Sequence, residues 1–268
     1  MGLITKANTL QKNLEDKIKH YWNTQPCNVK HGTSPIGTKQ FFEEVTAKRF
    51  QSEPHNIDFG QYHAYRGRRV LEIGCGIGTD AEQFARHGAI YTGIDLSDES
   101  LELCKKRFEV FDLQGTLLNV DMCDPGAMIN LGKFDLVYSF GVIHHFPNID
   151  QIIANIYNVT EDDGEFKFMV YAKNSWKYAM IRKGLDQFEA QADCPYAQAF
   201  TDTEIEQLLH NKFNIERIRQ AHCFMYNVDK YKQGKFELEP WFAEMPTVMQ
   251  DAVKEYLGWH LLVKARKI

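Results

Sequence analysis

Between Arg69 and Tyr171 short apolar runs alternate with stretches of helical character, and no other feature of this chain limits its fold so closely. Arg69-Val70-Leu71-Glu72-Ile73 is the first run, and it feeds a glycine cluster. Asp80 to His87 reads as a helix closed by Gly88. Ala89 to Asp95 is the next strand, and Ser97 is a good N-cap for a helix reaching about Phe108. Thr116 to Asp121, Phe134 to Ser139 and Glu165 to Tyr171 supply three further strands, the last after an Asp163-Gly164 turn. Strands and helices in alternation imply an α/β domain with a parallel sheet and right-handed crossovers.

The flanks follow other patterns. Leu10, Leu14, Ile18 and Tyr21 recur at helical spacing, with Asn8 and Gln11 placed like a capping box. A second helix is expected from about Thr38 to Phe50, beyond a polar loop with Pro26, Gly32, Pro35 and Gly37. Residues 1–60 therefore read as an N-terminal helical cap or lid, and residues 61–171 as the core. Residues 172–268 continue the same domain: a capping box at Thr201 to Glu204 opens a helix, Phe213 to Ile218 is a strand, Pro246 to Gly258 a helix, and Trp259 to Lys264 a final strand. Residues 172–200 and 221–245 fit neither pattern and are expected to be insertions over the top of the sheet.

Composition narrows the partners. The 268 residues are 44% hydrophobic and 25% charged, which excludes a disordered or fibrous chain. Lys and Arg number 31 against 36 Asp and Glu, a net charge of −5, so no nucleic-acid partner is expected. Lys105-Lys106-Arg107 and Lys264-Ala265-Arg266-Lys267 are short and are expected to be solvated faces. The six cysteines form no C-x-x-C pair and read as reduced intracellular thiols. No apolar run nears the roughly 18 residues of a membrane span, and Met1 to His20 has no secretory apolar core. Lys6 stands where a myristoylation signal needs Ser or Thr. A soluble, cytoplasmic protein is expected; the sequence says nothing of its oligomeric state.

The chemistry gathers at strand ends. Glu72-Ile73-Gly74-Cys75-Gly76-Ile77-Gly78 sits between a strand and a helix, where glycines let backbone N–H groups approach a ligand. Its spacing is G-x-G-x-G rather than the dinucleotide G-x-G-x-x-G, and an acidic lead-in suits a pyrophosphate poorly. Asp95 ends the second strand, where a carboxylate can accept both hydroxyls of a ribose. Asp121 and Met122 end the third, a polar group and an apolar wall suited to an adenine. Met122 can equally be plain core, and Cys75, with no base beside it, reads as a small filler.

The set Glu72 to Gly78, Asp95, Asp121-Met122 and Phe134 to Ser139 resembles the class I S-adenosylmethionine-dependent methyltransferases over roughly residues 68–171, and in particular their small-molecule branch, which includes the ubiquinone/menaquinone methyltransferases. The resemblance implies a Rossmann-like seven-stranded sheet with a reversed last strand and helices on both faces, which suits the final run. It also implies S-adenosylmethionine as cofactor, with Gly74, Cys75 and Gly76 against its methionine part, Asp95 on the ribose, Leu96 on the adenine, and Asp121 and Met122 at the amino edge. Glu72, Ser139 and Phe140 complete the expected cofactor site.

After the fourth strand comes Ser139-Phe140-Gly141-Val142-Ile143-His144-His145-Phe146. Adjacent histidines cannot face one spot unless the backbone is irregular, so no metal site is expected there. The stretch resembles that of phosphoethanolamine methyltransferases, where a histidine at the place of His145 works with an N-terminal tyrosine; Tyr21 is the candidate partner. The cyclopropane fatty acid synthases have a glutamate at the place of His144, and this chain departs from them. His145, His144 and Tyr21 are thus the candidate catalytic residues, each histidine having a plain alternative as a core residue bonded to a carbonyl. The rings of Tyr21, Trp22, Phe41, Phe42, Tyr171, Trp176 and Tyr178 could line a lid, with core packing the better reading for Phe41 and Phe42. Ser139-Phe140-Gly141-Val142 stands where adenine-N6 and protein-glutamine methyltransferases carry an Asp/Asn-Pro-Pro-Tyr/Phe motif. The expected function is methyl transfer to oxygen, nitrogen or carbon of a small molecule; the alternatives are an NAD-linked oxidoreductase and a non-enzymatic protein that binds the cofactor.

Overall fold

The computed structural model describes residues 2–188, 193–223, 225–231, 233, 235 and 237–268. Helix α1 (Gly2–Thr24), α2 (Lys39–Ser52) and α3 (His55–Gly60) precede the first strand. The alternating part then runs β1 (Arg69–Ile73), α4 (Thr79–Arg86), β2 (Ile90–Asp95), α5 (Asp98–Val110), β3 (Thr116–Asn119), α6 (Pro125–Ile129), β4 (Phe134–Phe140), α7 (Ile149–Val159) and β5 (Thr160–Ala172). Beyond it lie α8 (Trp176–Arg182), β6 (Ala199–Phe200), α9 (Asp202–Leu209), β7 (Phe213–Ala221), α10 (Val228–Tyr231), α11 (Pro240–Ala243), α12 (Thr247–Leu257) and β8 (His260–Lys267).

The sheet order is β3-β2-β1-β4-β5-β8-β7, with parallel pairing from β3 through β5 and β8 antiparallel to both of its neighbours. The reversed last strand is therefore present. Among the described residues the strands number eight rather than seven, because the segment before α9 adds the two-residue β6, paired in parallel with the end of β5. Side-chain alternation along the strands divides the core in two. Leu71, Ile73, Val137, Phe166, Phe168 and Val263 pack with Ile152, Ile153 and Ile156 of α7 and Ile205 and Leu209 of α9. Val70, Leu136, Tyr138, Met169 and Leu262 pack with Ala81 and Phe84 of α4 and Leu101, Cys104 and Phe108 of α5. Helices thus cover both faces, as the near-continuous apolar runs require.

Local signals place most boundaries. Ser97 accepts from the Ser100 amide at 3.0 Å, and Thr201 with Glu204 forms a complete capping box. The expected cap at Asn8 is not one, because α1 is already helical from Gly2. Phe41, Phe42 and Val45 of α2 are buried against Ile77, so they are core and not lid.

The basic runs are not simply solvated faces. Lys105 and Lys106 pair with Glu102 and Glu109 at the surface, but Arg107 is wholly buried. One helical position turns it inward, onto Glu82 at 2.8 Å and over the Phe42 ring at 4.6 Å. Lys264 and Arg266 pair with Glu165 and Glu216, and Lys267 buries its stem while its ammonium donates to the Thr160 carbonyl at 2.9 Å. The expected insertion at 172–200 holds α8 and β6, its residues 189–192 lying outside the described residues; the one at 221–245 holds α10 and α11, with 224, 232, 234 and 236 likewise outside. All six cysteines are free thiols. Among the described residues no helix is long and apolar enough to cross a membrane.

Candidate active site

The cavity of interest opens at the carboxyl ends of β1, β2 and β4, the crevice where open α/β sheets bind ligands. Gly74, Gly76 and Gly78 all have positive φ (75°, 53° and 84°). A Cβ on Gly74 would lie 2.3 Å from Val142, and one on Gly78 2.6 Å from the Cys104 sulfur. Gly76 differs: a Cβ there would meet nothing within 4 Å, so its backbone is bare toward the cavity it lines. The turn is locked by Asp95, whose carboxylate accepts from the Gly76 amide at 2.8 Å and the Ser97 amide at 2.9 Å. Burial pushes the Asp95 carboxyl above its ordinary value, and these amides oppose the shift. The Leu96 amide also bonds to it, so the carboxylate keeps room for a further donor.

Around the turn sit more buried polar groups than the apolar core needs. Glu72 is buried and accepts from the Tyr91 hydroxyl at 2.6 Å; burial first, then the nearby Asp80, raises its pKa well above the usual carboxylate range. The Thr79 hydroxyl lines the cavity and has no hydrogen-bond partner, although it is buried. Cys75 is a closed filler: a hydrogen bond with Cys104 and burial hold its thiol well above its normal pKa, so it is no nucleophile. Leu96, Val120 and Met122 form an apolar wall beyond Asp95. A bare backbone turn, a carboxylate at a strand end, an unpaired buried hydroxyl and an apolar wall match the polar and flat parts of an adenosyl amino acid.

The expected cofactor residues do not all reach the cavity. Glu72, Gly74, Cys75, Gly76, Asp95, Leu96, Met122 and Phe140 line it. Asp121 instead accepts from the Cys123 amide at 2.8 Å and borders an adjoining hollow that shares Lys19, Leu96 and Phe146 with the main one. Ser139 is wholly buried and ties β4 to β1 by donating to the Ile73 carbonyl at 3.3 Å.

The histidine pair lies on a single turn of 3-10 helix, Ile143–His145. That irregular backbone brings the two rings within 4.3 Å, which a strand or α-helix would not allow. His145 lines the cavity, and its Nδ1 lies 2.9 Å from the Tyr196 carbonyl oxygen. Only a protonated Nδ1 can donate to that oxygen, so Nε2 is the basic nitrogen of the neutral ring. His144 is fully buried with neither ring nitrogen hydrogen-bonded, and burial followed by His145 drives its pKa well below 6.5. Its ring centroid is 4.0 Å from that of Tyr171, an inward-packed position.

From α1 the ring against His145 is that of Trp22, 5.1 Å away and nearly edge-on. Tyr21 is buried and stands edge-on to Trp22 at 5.0 Å. Trp22 is held there because the Ser97 hydroxyl, next to Asp95, donates to its carbonyl at 3.2 Å.

Sequence reasoning missed one wall. Arg49 of α2, Glu53 just past its end, Asp80 of α4 and His260 of β8 line the cavity beyond Phe140. Arg49 pairs with Asp80 at 3.1 Å and Glu53 at 4.0 Å, and its guanidinium lies 5.1 Å over the Phe140 ring. Arg49 recurs at helical spacing with Phe41 and Val45, on the face of α2 that turns inward, and the docking of α2 over the sheet ends carries it to the cavity. The signal available was weak: Asp80 sits in the first turn after the glycines, where a carboxylate draws a cation.

Residues 71–166 match the methyltransferase domain family. A ubiquinone biosynthesis O-methyltransferase of Coxiella burnetii is 26% identical over 197 residues, 72% of this chain and 75% of that one. Its counterpart in Neisseria meningitidis is 32% identical over 127 residues, 47% of this chain and 53% of that one. Among solved structures, magnesium protoporphyrin IX methyltransferase from Synechocystis with bound SAH superposes with a TM-score of 0.61 at 16% identity, over 95% of this chain and 100% of that one. A methyltransferase from Bacillus halodurans gives 0.56 at 19% identity, over 78% and 96%. The matched segment runs from the glycine turn through β5, the part of the fold that builds the cavity floor. Residues 71–166 thus match a methyltransferase domain, and the chain has the fold of S-adenosylmethionine-dependent methyltransferases and is similar in sequence to small-molecule O-methyltransferases.

Proposed function

We propose that the chain methylates an oxygen of a flat small molecule bound between Trp22, Phe140, Tyr171 and His145. The observation that supports this reading is the 2.9 Å contact between His145 Nδ1 and the Tyr196 carbonyl oxygen: a hydrogen bond donated by Nδ1 leaves Nε2 to accept a proton, on a wall of the same cavity as Gly76 and Asp95. A hydroxyl needs help in losing its proton as it attacks, and a neutral imidazole can take it. The relatives named O-methyltransferases favour oxygen over nitrogen or carbon.

S-adenosylmethionine supplies a methyl group on a sulfonium, already a good leaving group. The protein's part is to orient and to exclude water. In this reading the Gly74–Gly76 backbone holds the amino-acid end, Asp95 the ribose hydroxyls, and Leu96, Val120 and Met122 the adenine. Asp121 acts from the adjoining hollow, and Ser139 by fixing the strand that carries Phe140. Asp80, Glu53 and Arg49 leave this end of the cavity anionic, which favours a sulfonium and disfavours a carboxylate-bearing acceptor. Tyr21 acts by bracing Trp22, and His144 by bracing His145. The free thiols fit a reducing, cytoplasmic compartment.

The test is formation of S-adenosylhomocysteine from S-adenosylmethionine over a panel of phenols, catechols and amines. Turnover with hydroxylated rings is expected, and His145→Ala should slow it about 100-fold or more while sparing cofactor affinity. Turnover with amines alone, or an unaffected variant, would contradict the reading.

A further inference from the structure

Three histidines far apart in sequence meet beside the cavity. His55 begins α3, His222 follows β7, and His260 begins β8. One ring nitrogen of each lies within 4.8 Å of those of the other two. The His55 Nε2 and His260 Nδ1 atoms are 3.0 Å apart, and the His222 and His260 rings stack with centroids 4.4 Å apart. We propose that His55, His222 and His260 form a binding site for a divalent transition-metal ion of the zinc class.

The backbone is arranged to bring these rings together. His222 adopts a left-handed conformation, φ 63°, uncommon for a residue other than glycine and costly unless surroundings demand it. Its carbonyl accepts from the Trp259 amide at 2.9 Å, fixing it beside the start of β8. A Cβ at Gly258 would lie 2.3 Å from the Ala221 carbonyl, so that approach needs a glycine. The His222 ring also bonds to the backbone of Ser52, the kind of outer contact that orients a metal-binding imidazole.

Chemistry selects the ion. A neutral imidazole offers a metal a nitrogen lone pair. Three imidazoles suit zinc, cobalt, nickel or copper and not magnesium or calcium, which prefer oxygen. At metal–nitrogen distances of about 2.1 Å, ligand nitrogens stand roughly 3.0–3.4 Å apart, so a pair at the 4.8 Å limit of the cluster has to close by about 1.4–1.8 Å, within reach of a rotation of the imidazole rings. Arg49, Lys177 and Arg219 are cations near the cluster that oppose a metal; Asp80 and Glu53 flank Arg49, Asp186 faces Lys177 and Asp58 lies near Arg219. His260 and Glu53 line the cavity, so an ion here borders the acceptor end and could hold an acceptor oxygen. That last consequence rests on the methyl-transfer reading above; the site itself does not.

The experiment is titration of the chelator-stripped full chain with Co2+, followed by visible absorption, then Zn2+ as competitor. One ion per chain, with d–d bands bleached by Zn2+ and indifferent to Mg2+, is expected. His55→Gln is the fold-safe variant, since His55 is half-buried at a helix end; it and His222→Gln should each weaken binding at least about 10-fold. Cys27→Ser, at a thiol lining the same cavity, should leave affinity unchanged. No saturable absorption, equal affinity in His55→Gln, or loss in Cys27→Ser instead would overturn the site. None of these readouts involves methyl transfer.

Discussion

Replacing Arg107 by Met tests how the α2–α4–α5 seam is held. The Arg107 side chain is fully buried, with Nη1 2.8 Å from Glu82 and 2.9 Å from the Thr46 hydroxyl. Removing one partner of a buried pair ordinarily costs about 3–5 kcal/mol, because the other charge is left bare. Two features reduce that here. Glu82 keeps a second partner, Arg86 Nε at 2.7 Å, on the solvent side. Arg107 itself leaves Nε and Nη2 buried without acceptors, and each such donor costs about 1–3 kcal/mol that the variant recovers. Burial outweighs the carboxylate in setting its pKa, which is lowered despite Glu82, and this points the same way. The expected loss for Arg107→Met is therefore about 2 kcal/mol, or some 4–8 °C in Tm for a domain of this size. Adding Glu82→Gln removes the bared charge and should bring stability back to within about 1 kcal/mol of the parent. Urea unfolding followed by circular dichroism measures both variants. A single variant as stable as the parent, or a double variant weaker than the single, refutes the reasoning.

Asp95→Ala should weaken S-adenosylhomocysteine binding by one to two orders of magnitude, on the order of 1.5–3 kcal/mol for a charge-assisted hydrogen bond, and loosen the glycine turn it clamps; calorimetry on the folded variant checks this. His144 is held neutral by burial, so its folded pKa is depressed and its contribution is present above the unfolded value and lost as pH falls below it. Wild type should lose about 2 kcal/mol from this residue between pH 6.5 and 5, a loss absent in His144→Phe; parallel pH slopes for the two proteins would count against it.

The sheet was legible because each of its elements carries its own signal. Runs such as Leu71 to Ile73 are buried on both faces, and caps such as Ser97 and Thr201 act within four residues. The glycine turn and Asp95 were legible for the same reason: positive φ and a strand-end carboxylate are local demands. Arg49, Glu53 and the three clustered histidines were not, since each becomes part of a site only when α2, α3, β7 and β8 converge. The irregular turn of Ile143 to His145 likewise lay beyond period-based reading, and with it the contact between His144 and His145. Arg107 shows the limit of reading charge runs, for two of its three residues are solvated and one helical step buries the third.

Calorimetric titration of the purified chain with S-adenosylmethionine, S-adenosylhomocysteine and NAD bears most directly on the account. Saturable micromolar binding of the first two at one site per chain, with no heat from NAD, is the predicted result. Binding of NAD in their place would contradict the assignment of the Gly74–Gly78 turn and of everything built upon it.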